Sequence, residues 1–175
     1  FEDTVGELSL LTNYYASYGI AQSKEDNKFM PDDNVSADEL NKMILRATGF
    51  ESAITDTSRE NVAAELVNIY KVLSGDDEPV TAELKFNDKA DISNQEAVSQ
   101  ALGLSLILNS TDNFEPTKLL TRYEALQSAA RLLTAANIGI TGKIETPPPV
   151  EIKAPHVIDL LPETGVMRDP MVNLS

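Results

Sequence analysis

The stretch Phe114-Glu115-Pro116-Thr117-Lys118-Leu119-Leu120-Thr121-Arg122-Tyr123-Glu124 decides the fold, because its outline occurs twice. Phe29-Met30-Pro31 and Ser36-Ala37-Asp38-Glu39 repeat it near the start of the chain. Working outward, Phe86-Asn87-Asp88 and Gly103-Leu104 precede the later copy as Phe1-Glu2-Asp3 and Gly19-Ile20 precede the earlier one. Glu39 lies 38 positions after Phe1, and Glu124 lies 38 positions after Phe86. Agreement in order and spacing, more than in composition, indicates one supersecondary unit used repeatedly.

Five segments carry helical periodicity. Val5, Leu8, Leu11, Tyr15 and Tyr18 recur three or four apart, with Gly19 placed to close a first helix. Ser36 with Glu39 spells a capping box and Val35 with Leu40 a hydrophobic staple, so a second helix buries Leu40, Met43, Ile44 and Ala47 and stops at Gly49. A third runs from about Ser58, with Val62, Leu66, Ile69, Tyr70 and Leu73 inward and Gly75 at its end. Ser93-Asn94-Gln95-Glu96 caps a fourth that reaches Gly103. Thr121-Arg122-Tyr123-Glu124 caps a fifth, whose inner face is Leu126, Ala129, Ala130 and Leu133. Residues 80–86 and 105–108 read as loops. From Ile144 onward, Thr146-Pro147-Pro148-Pro149 with Pro155, Pro162 and Pro170 excludes helix and predicts an extended arm. Its Val150, Ile152, Val157, Ile158, Leu160 and Leu161 suit it to lie along a surface of its own or a neighbouring subunit.

Composition narrows the function. The 175 residues hold 28 acids and 14 basic residues, a formal charge of −14, which repels a nucleic-acid backbone and an anionic membrane surface alike. No apolar run approaches the ~20 residues of a membrane-spanning helix, so no membrane insertion is expected. With no cysteine and a single histidine, His156 in the arm, neither a thiolate site nor a histidine triad can be assembled, and neither an enzyme nor a cofactor is expected. Asp26, Asp32, Asp33 and Asn34 lack the order of an EF-hand and read as a solvated turn that feeds two buried plugs, Phe29 and its counterpart Phe114. The start at Phe1 reads as that of a mature or excised piece.

The unit F-x-D, helix, G-I/L, polar turn, F-x-P, then T-R-x-E opening a second helix resembles the S-layer homology domain of bacterial surface proteins. Ser58-Arg59-Glu60-Asn61-Val62-Ala63 and Leu66-Val67-Asn68-Ile69-Tyr70-Lys71 look like the second half of another such module. The resulting organisation is module 1 at 1–49, a degenerate module 2 at 50–85 with only its second half, module 3 at 86–137, and an arm at 138–175. The resemblance implies a mainly α fold: a pseudo-threefold helical bundle with short loops and an extended Pro-rich C-terminal arm. It also implies non-catalytic anchoring at the bacterial cell surface or wall, through secondary cell-wall polysaccharide, often pyruvylated, held in grooves between modules. The alternative is a structural subunit of a surface layer, filament or other envelope assembly, with residues 144–175 docking on a neighbour.

The family places ligand-contacting groups in T-R-x-E. Carried over, these are Thr121, Arg122 and Glu124 in module 3, Ser58, Arg59 and Asn61 in module 2, and Ser36, Ala37 and Glu39 in module 1. Capping alone accounts for Thr121, Ser36, Glu124 and Glu39. An arginine at the first helical position opposes the helix dipole by up to ~1 kcal/mol, so another interaction must favour Arg59 and Arg122: an anionic ligand, or a salt bridge to a nearby acid. Ala37 removes the cation from module 1 and Asn61 the acid from module 2, which leaves at most two competent grooves. Ser23 stands where the family has a second glycine, and no tryptophan is present to stack on sugar. Leu161-Pro162-Glu163-Thr164-Gly165 matches the sortase signal, but residues 166–175 lack that signal's apolar stretch and basic end, so the motif reads as a turn in the arm.

Overall fold

A computed structural model of the chain describes residues 1–139. The Pro-rich arm and the Leu161–Gly165 motif lie outside the described residues, as do the expectations attached to them. Among the described residues the protein is mainly helical, with no strand and three isolated bridge pairs. The helices are α1 (Gly6–Ser17), α2 (Ala37–Thr48), α3 (Arg59–Ser74), α4 (Gln95–Gly103) and α5 (Arg122–Ala135), with a short 3-10 turn at Lys89–Asp91 before α4.

Local chemistry sets the helix boundaries. Ser36 and Thr121 each accept a bond from the N–H three residues on, while Glu39 and Glu124 each accept one from the N–H of the cap, so both expected capping boxes form. Gly49 (φ 77°) and Gly75 (φ 74°) close α2 and α3 in the left-handed conformation. α1, α4 and α5 instead end in paired backbone bonds of the Schellman type, through Gly19, Ser105 and Asn137.

Gly103 does not play the part of Gly19. The left-handed position after α4 is Ser105 (φ 57°), and Leu106 takes the buried place of Ile20. A Cβ on Gly103 would lie 2.5 Å from the Val80 carbonyl oxygen, so the glycine serves close packing of the 80–82 segment. That segment stays irregular and is tied to α4 by Ala82 N–H donating to the Ser99 carbonyl at 2.9 Å.

One core runs through the described residues. α2 packs on α5, and α3 packs on both α4 and α5. The expected inner residues of α2 are all buried, and those of α3 are buried except the half-buried Leu73. On α5, Ala125 and Leu132 join Leu126, Ala129 and Leu133 in the core, while Ala130 stays half-buried on a cleft wall. α1 departs most from its expected face: Val5 is 79% exposed and only Thr12 is fully buried. The Thr12 hydroxyl donates to the Leu8 carbonyl at 2.8 Å, so burial leaves no polar atom unpaired. Leu8, Leu11, Tyr15 and Tyr18 are half-buried, because α1 lies at the margin of the core.

The segments before α2, α5 and α3 are joined by their backbones. Val35 N–H donates to the Leu120 carbonyl, and Leu120 N–H donates to that of Thr57, each at 2.9 Å. A second set of bonds recurs at the receiving loops with an offset of 85 residues, the step from Phe1 to Phe86. Arg122 N–H to Asp33 and Tyr123 N–H to Pro31 correspond to Arg59 N–H to Lys118 and Glu60 N–H to Pro116.

Candidate functional site

Arg122, the first residue of α5, is 2% exposed and reaches the loop of the first repeat. Its Nε donates to the Phe29 carbonyl at 2.8 Å and its Nη2 to the Gln22 carbonyl at 2.8 Å, while Nη1 pairs with Glu39. The guanidinium also lies 4.9 Å from the centroid of the buried Phe29 ring. Arg59, the first residue of α3, repeats this in the loop of the second complete repeat. It donates to the Phe114 carbonyl at 2.8 Å, to the Leu108 carbonyl at 3.2 Å and to Asn109 Oδ1 at 2.9 Å, and it covers the Phe114 ring at 4.9 Å. Glu124 stands 4.0 Å from its Nη1. Backbone carbonyls and an aromatic face therefore offset the unfavourable dipole at both helix starts, together with the expected salt bridge, which is close for Arg122 with Glu39 and long for Arg59 with Glu124.

Each loop is shaped by an aspartate from the F-x-D motif. Asp3 accepts from the N–H groups of Phe29 (2.7 Å) and Met30 (2.6 Å), and Asp88 accepts from those of Phe114 and Glu115, both at 2.7 Å. Met30 (φ 56°) and Glu115 (φ 58°) are both left-handed, a conformation that costs about 1–2 kcal/mol for a residue with a side chain. The carboxylate bridges hold the turn in that shape. Desolvation pushes both carboxyls up, but the donated backbone bonds outweigh it and hold each below its ordinary value. For Glu39, too, desolvation acts upward and is outweighed by the Ser36 N–H and the Arg122 guanidinium, leaving its carboxyl lowered. Phe1 on Phe29 and Phe86 on Phe114 complete the plugs, with ring centroids 5.4 and 5.6 Å apart.

The other carried-over positions behave differently. Ser58 makes no side-chain cap; Asp56 accepts from the Ser58 N–H at 2.9 Å and Asn61 donates to the Asp56 carbonyl at 2.7 Å. Asn61 thus closes a local turn and does not meet Arg59. Thr121, Glu124, Ser36 and Glu39 are held in their capping boxes, with Glu39 and Glu124 also facing the arginines. Ala37 follows its cap as Arg59 and Arg122 follow theirs, yet residues 50–57 contain no F-x-P turn for an arginine there to enter.

Two clefts open beside the arginines, with corresponding linings. One, of about 370 Å³, includes Arg59, Leu106, Asn109, Glu124, Gln127 and Arg131. The other, of about 100 Å³, includes Arg122, Ile20, Ser23, Glu39, Lys42 and Arg46. Only the first falls within the range of ordinary ligand pockets; the second has room for a few waters at most, at ~30 Å³ each. A third cleft, of about 580 Å³, lies between α1 and α5 and includes Leu11, Tyr15, Tyr123, Gln127 and Arg131. Arg131 is not among the candidates that the T-R-x-E pattern supplies; its signal in the sequence is its place ten residues after the Thr121 cap, matched by Arg46 ten after Ser36. Among the described residues no group of three His, Asp or Glu side chains is placed to hold a metal ion, and no helix is long and apolar enough to cross a membrane. No family model matches the sequence, and no curated protein matches it at a significant level.

Proposed function

We propose that the chain is a degenerate tandem of S-layer homology modules, arranged with pseudo-threefold symmetry around the seam of Val35, Leu120 and Thr57, and that it serves as a non-catalytic anchor at the bacterial cell surface. Its ligand is secondary cell-wall polysaccharide, and the cleft that takes it is the 370 Å³ one beside Arg59. The carrying observation is the duplicated loop lock, in which an arginine from one helix start enters the F-x-P turn of another module, at Phe29 and again at Phe114. Such a lock gives rigid seams between modules, and rigid seams give preformed clefts. The arginines act there by holding the cleft walls, with Glu124, Asn109 and Gln127 lining its space.

Incubating the full chain with purified sacculi tests this reading. Co-sedimentation with sacculi that retain their polymer, lost when mild acid extraction strips the polymer, is the expected result. Failure to sediment with either preparation overturns it.

A second reading, a structural subunit of a surface layer, filament or other envelope assembly, is favoured by the near-complete burial of Arg59 and Arg122, which fits a scaffold. It requires residues 144–175 for assembly. Removing them should then abolish self-association in sedimentation velocity while helical circular dichroism is unchanged, and undiminished association would rule it out.

A further inference from the structure

Two of the three most exposed large apolar side chains among the described residues belong to α1 or its N-cap: Val5 at 79% and Leu10 at 74%. Tyr14, 53% exposed, stands one turn beyond Leu10. Gly6, Leu10, Tyr14 and Ser17 follow one another at steps of four, four and three, so they share one exposed face of α1, apart from the half-buried Leu8, Leu11 and Tyr15. That face is prepared for burial. Tyr14 meets the ring of Tyr15 edge-on at 5.1 Å and that of Tyr18 at 5.2 Å between centroids, so it has little freedom left to lose on association. The Ser17 hydroxyl donates to the Tyr14 carbonyl at 2.6 Å and Asn13 Nδ2 donates to Ser9 Oγ at 3.1 Å, so removing water strands neither donor.

Charge selects the occupant. α1 carries one charged side chain, Glu7, whereas α2, of equal length, carries four in Asp38, Glu39, Lys42 and Arg46. Two chains of net charge −14 meet with least repulsion on a side that holds a single acid, and a charged partner finds almost nothing there to pair with. Along the helix the face runs small, large, large, small, which is its own complement when a second helix lies antiparallel: Leu10 then meets Tyr14 of the second copy, and Gly6 meets its Ser17. We infer that α1 is a self-association surface, on which a second copy of this chain packs as an antiparallel two-fold dimer centred between Leu10 and Tyr14. That direction also parts the two Glu7 carboxylates by about 15 Å along the axis, beyond the ~8 Å screening length at 0.15 M salt, while a parallel pair sets them side by side. A helix of 12 residues spans about 18 Å and covers on the order of 300 Å² per copy, well under the ~800 Å² per partner of a stable complex. The dimer is therefore weak and concentration-dependent.

Sedimentation equilibrium of the full chain from about 10 μM to about 1 mM tests this. Wild type is expected to rise from its monomer mass of 19.1 kDa toward twice that value. The rise should be larger when salt goes from about 0.05 M to about 0.5 M, because screening relieves the repulsion between acidic chains. Leu10→Asn should weaken association about tenfold or more, since each dimer loses two buried leucines. Val72→Asn removes a comparably apolar side chain, 67% exposed, from α3 and should associate as wild type does. Because the chain has no cysteine of its own, introduced ones report direction. Under mild oxidation Asn13→Cys, near the two-fold axis, should link into a disulfide dimer, and Ser17→Cys, about 15 Å from its copy, should not. Thermal melts verify that each variant folds. A wild type that stays monomeric up to about 1 mM overturns the inference and leaves the face to a different protein. Association that survives Leu10→Asn, or is lost in Val72→Asn, lies elsewhere and overturns it too. Equal linking of both cysteines overturns the antiparallel arrangement. The contact needs no glycan, so the sacculus experiment succeeds or fails independently of it.

Discussion

Arg122 lies 4.9 Å over the ring of Phe29 while its Nε donates to that same residue's carbonyl at 2.8 Å, so a single side chain fixes both the plug and the backbone that carries it. Because the guanidinium satisfies two carbonyls and one carboxylate in a buried place, its removal takes that donor from both carbonyls and leaves Glu39 with only the Ser36 N–H. We expect Arg122→Ala to lower the unfolding free energy by about 3 kcal/mol, and Arg59→Ala by about 2 kcal/mol, since its nearest carboxylate is 4.0 Å away. Urea titration at neutral pH reads both. Lysine has no planar fork, so Arg122→Lys should recover less than half the loss; a variant as stable as wild type would refute the locking role.

Acid should loosen the two loops first. The Asp3 and Asp88 carboxyls sit below their ordinary value of 3.8 in the folded protein, so each contributes stability that is fully present above about pH 4. That contribution is lost as the pH falls through the lower folded values. Melting temperature measured from about pH 6 down to about pH 2.5 should drop more steeply for wild type than for Asp3→Asn/Asp88→Asn, which is less stable at neutral pH. Parallel curves would mean that the carboxylate bridges carry no linkage.

Gly103→Ala isolates a packing requirement from a conformational one. The new methyl would meet the Val80 carbonyl oxygen at 2.5 Å and the Thr81 backbone at 2.9 Å, neither of which can rotate away. Overpacking of this kind costs about 1–3 kcal/mol. Gly75→Ala has open space around it but a φ of 74°, so its cost is about 1 kcal/mol of backbone strain. Chemical denaturation should rank Gly103→Ala as the more damaging, and the reverse order would show that the 80–82 segment can shift.

Placing an arginine after the Ser36 cap, to match Arg59 and Arg122, should not help. Ala37→Arg presents a cation to the N-terminal end of α2 with no F-x-P turn in residues 50–57 to receive it. A change between zero and about 1 kcal/mol of destabilisation is expected from the dipole alone. A rise in melting temperature would reveal an acceptor at that seam.

Much of this fold is legible in the spacing of its residues. Ser36 with Glu39, and Thr121 with Glu124, announce their helices because a capping box is a local contact between residues three apart. The arginine partners are not legible in that way. Arg122 bonds to a carbonyl 93 residues earlier, and nothing in T-R-x-E distinguishes a backbone acceptor from a ligand or a carboxylate. Gly103 misleads for a different reason: Ser105 tolerates the left-handed turn two residues later, so the glycine is free to meet a packing need. The cleft residue Arg131 sits mid-helix among apolar neighbours, where periodicity reports only that it is not core.

The contact of Arg122 with Phe29 also has a mechanical meaning. It ties the last helix of the described region directly to its first loop, so tension applied near Phe1 and near Ala135 meets this clasp before it reaches the helices between them. Under such a load the described region would begin to give way where one arginine leaves one aromatic ring.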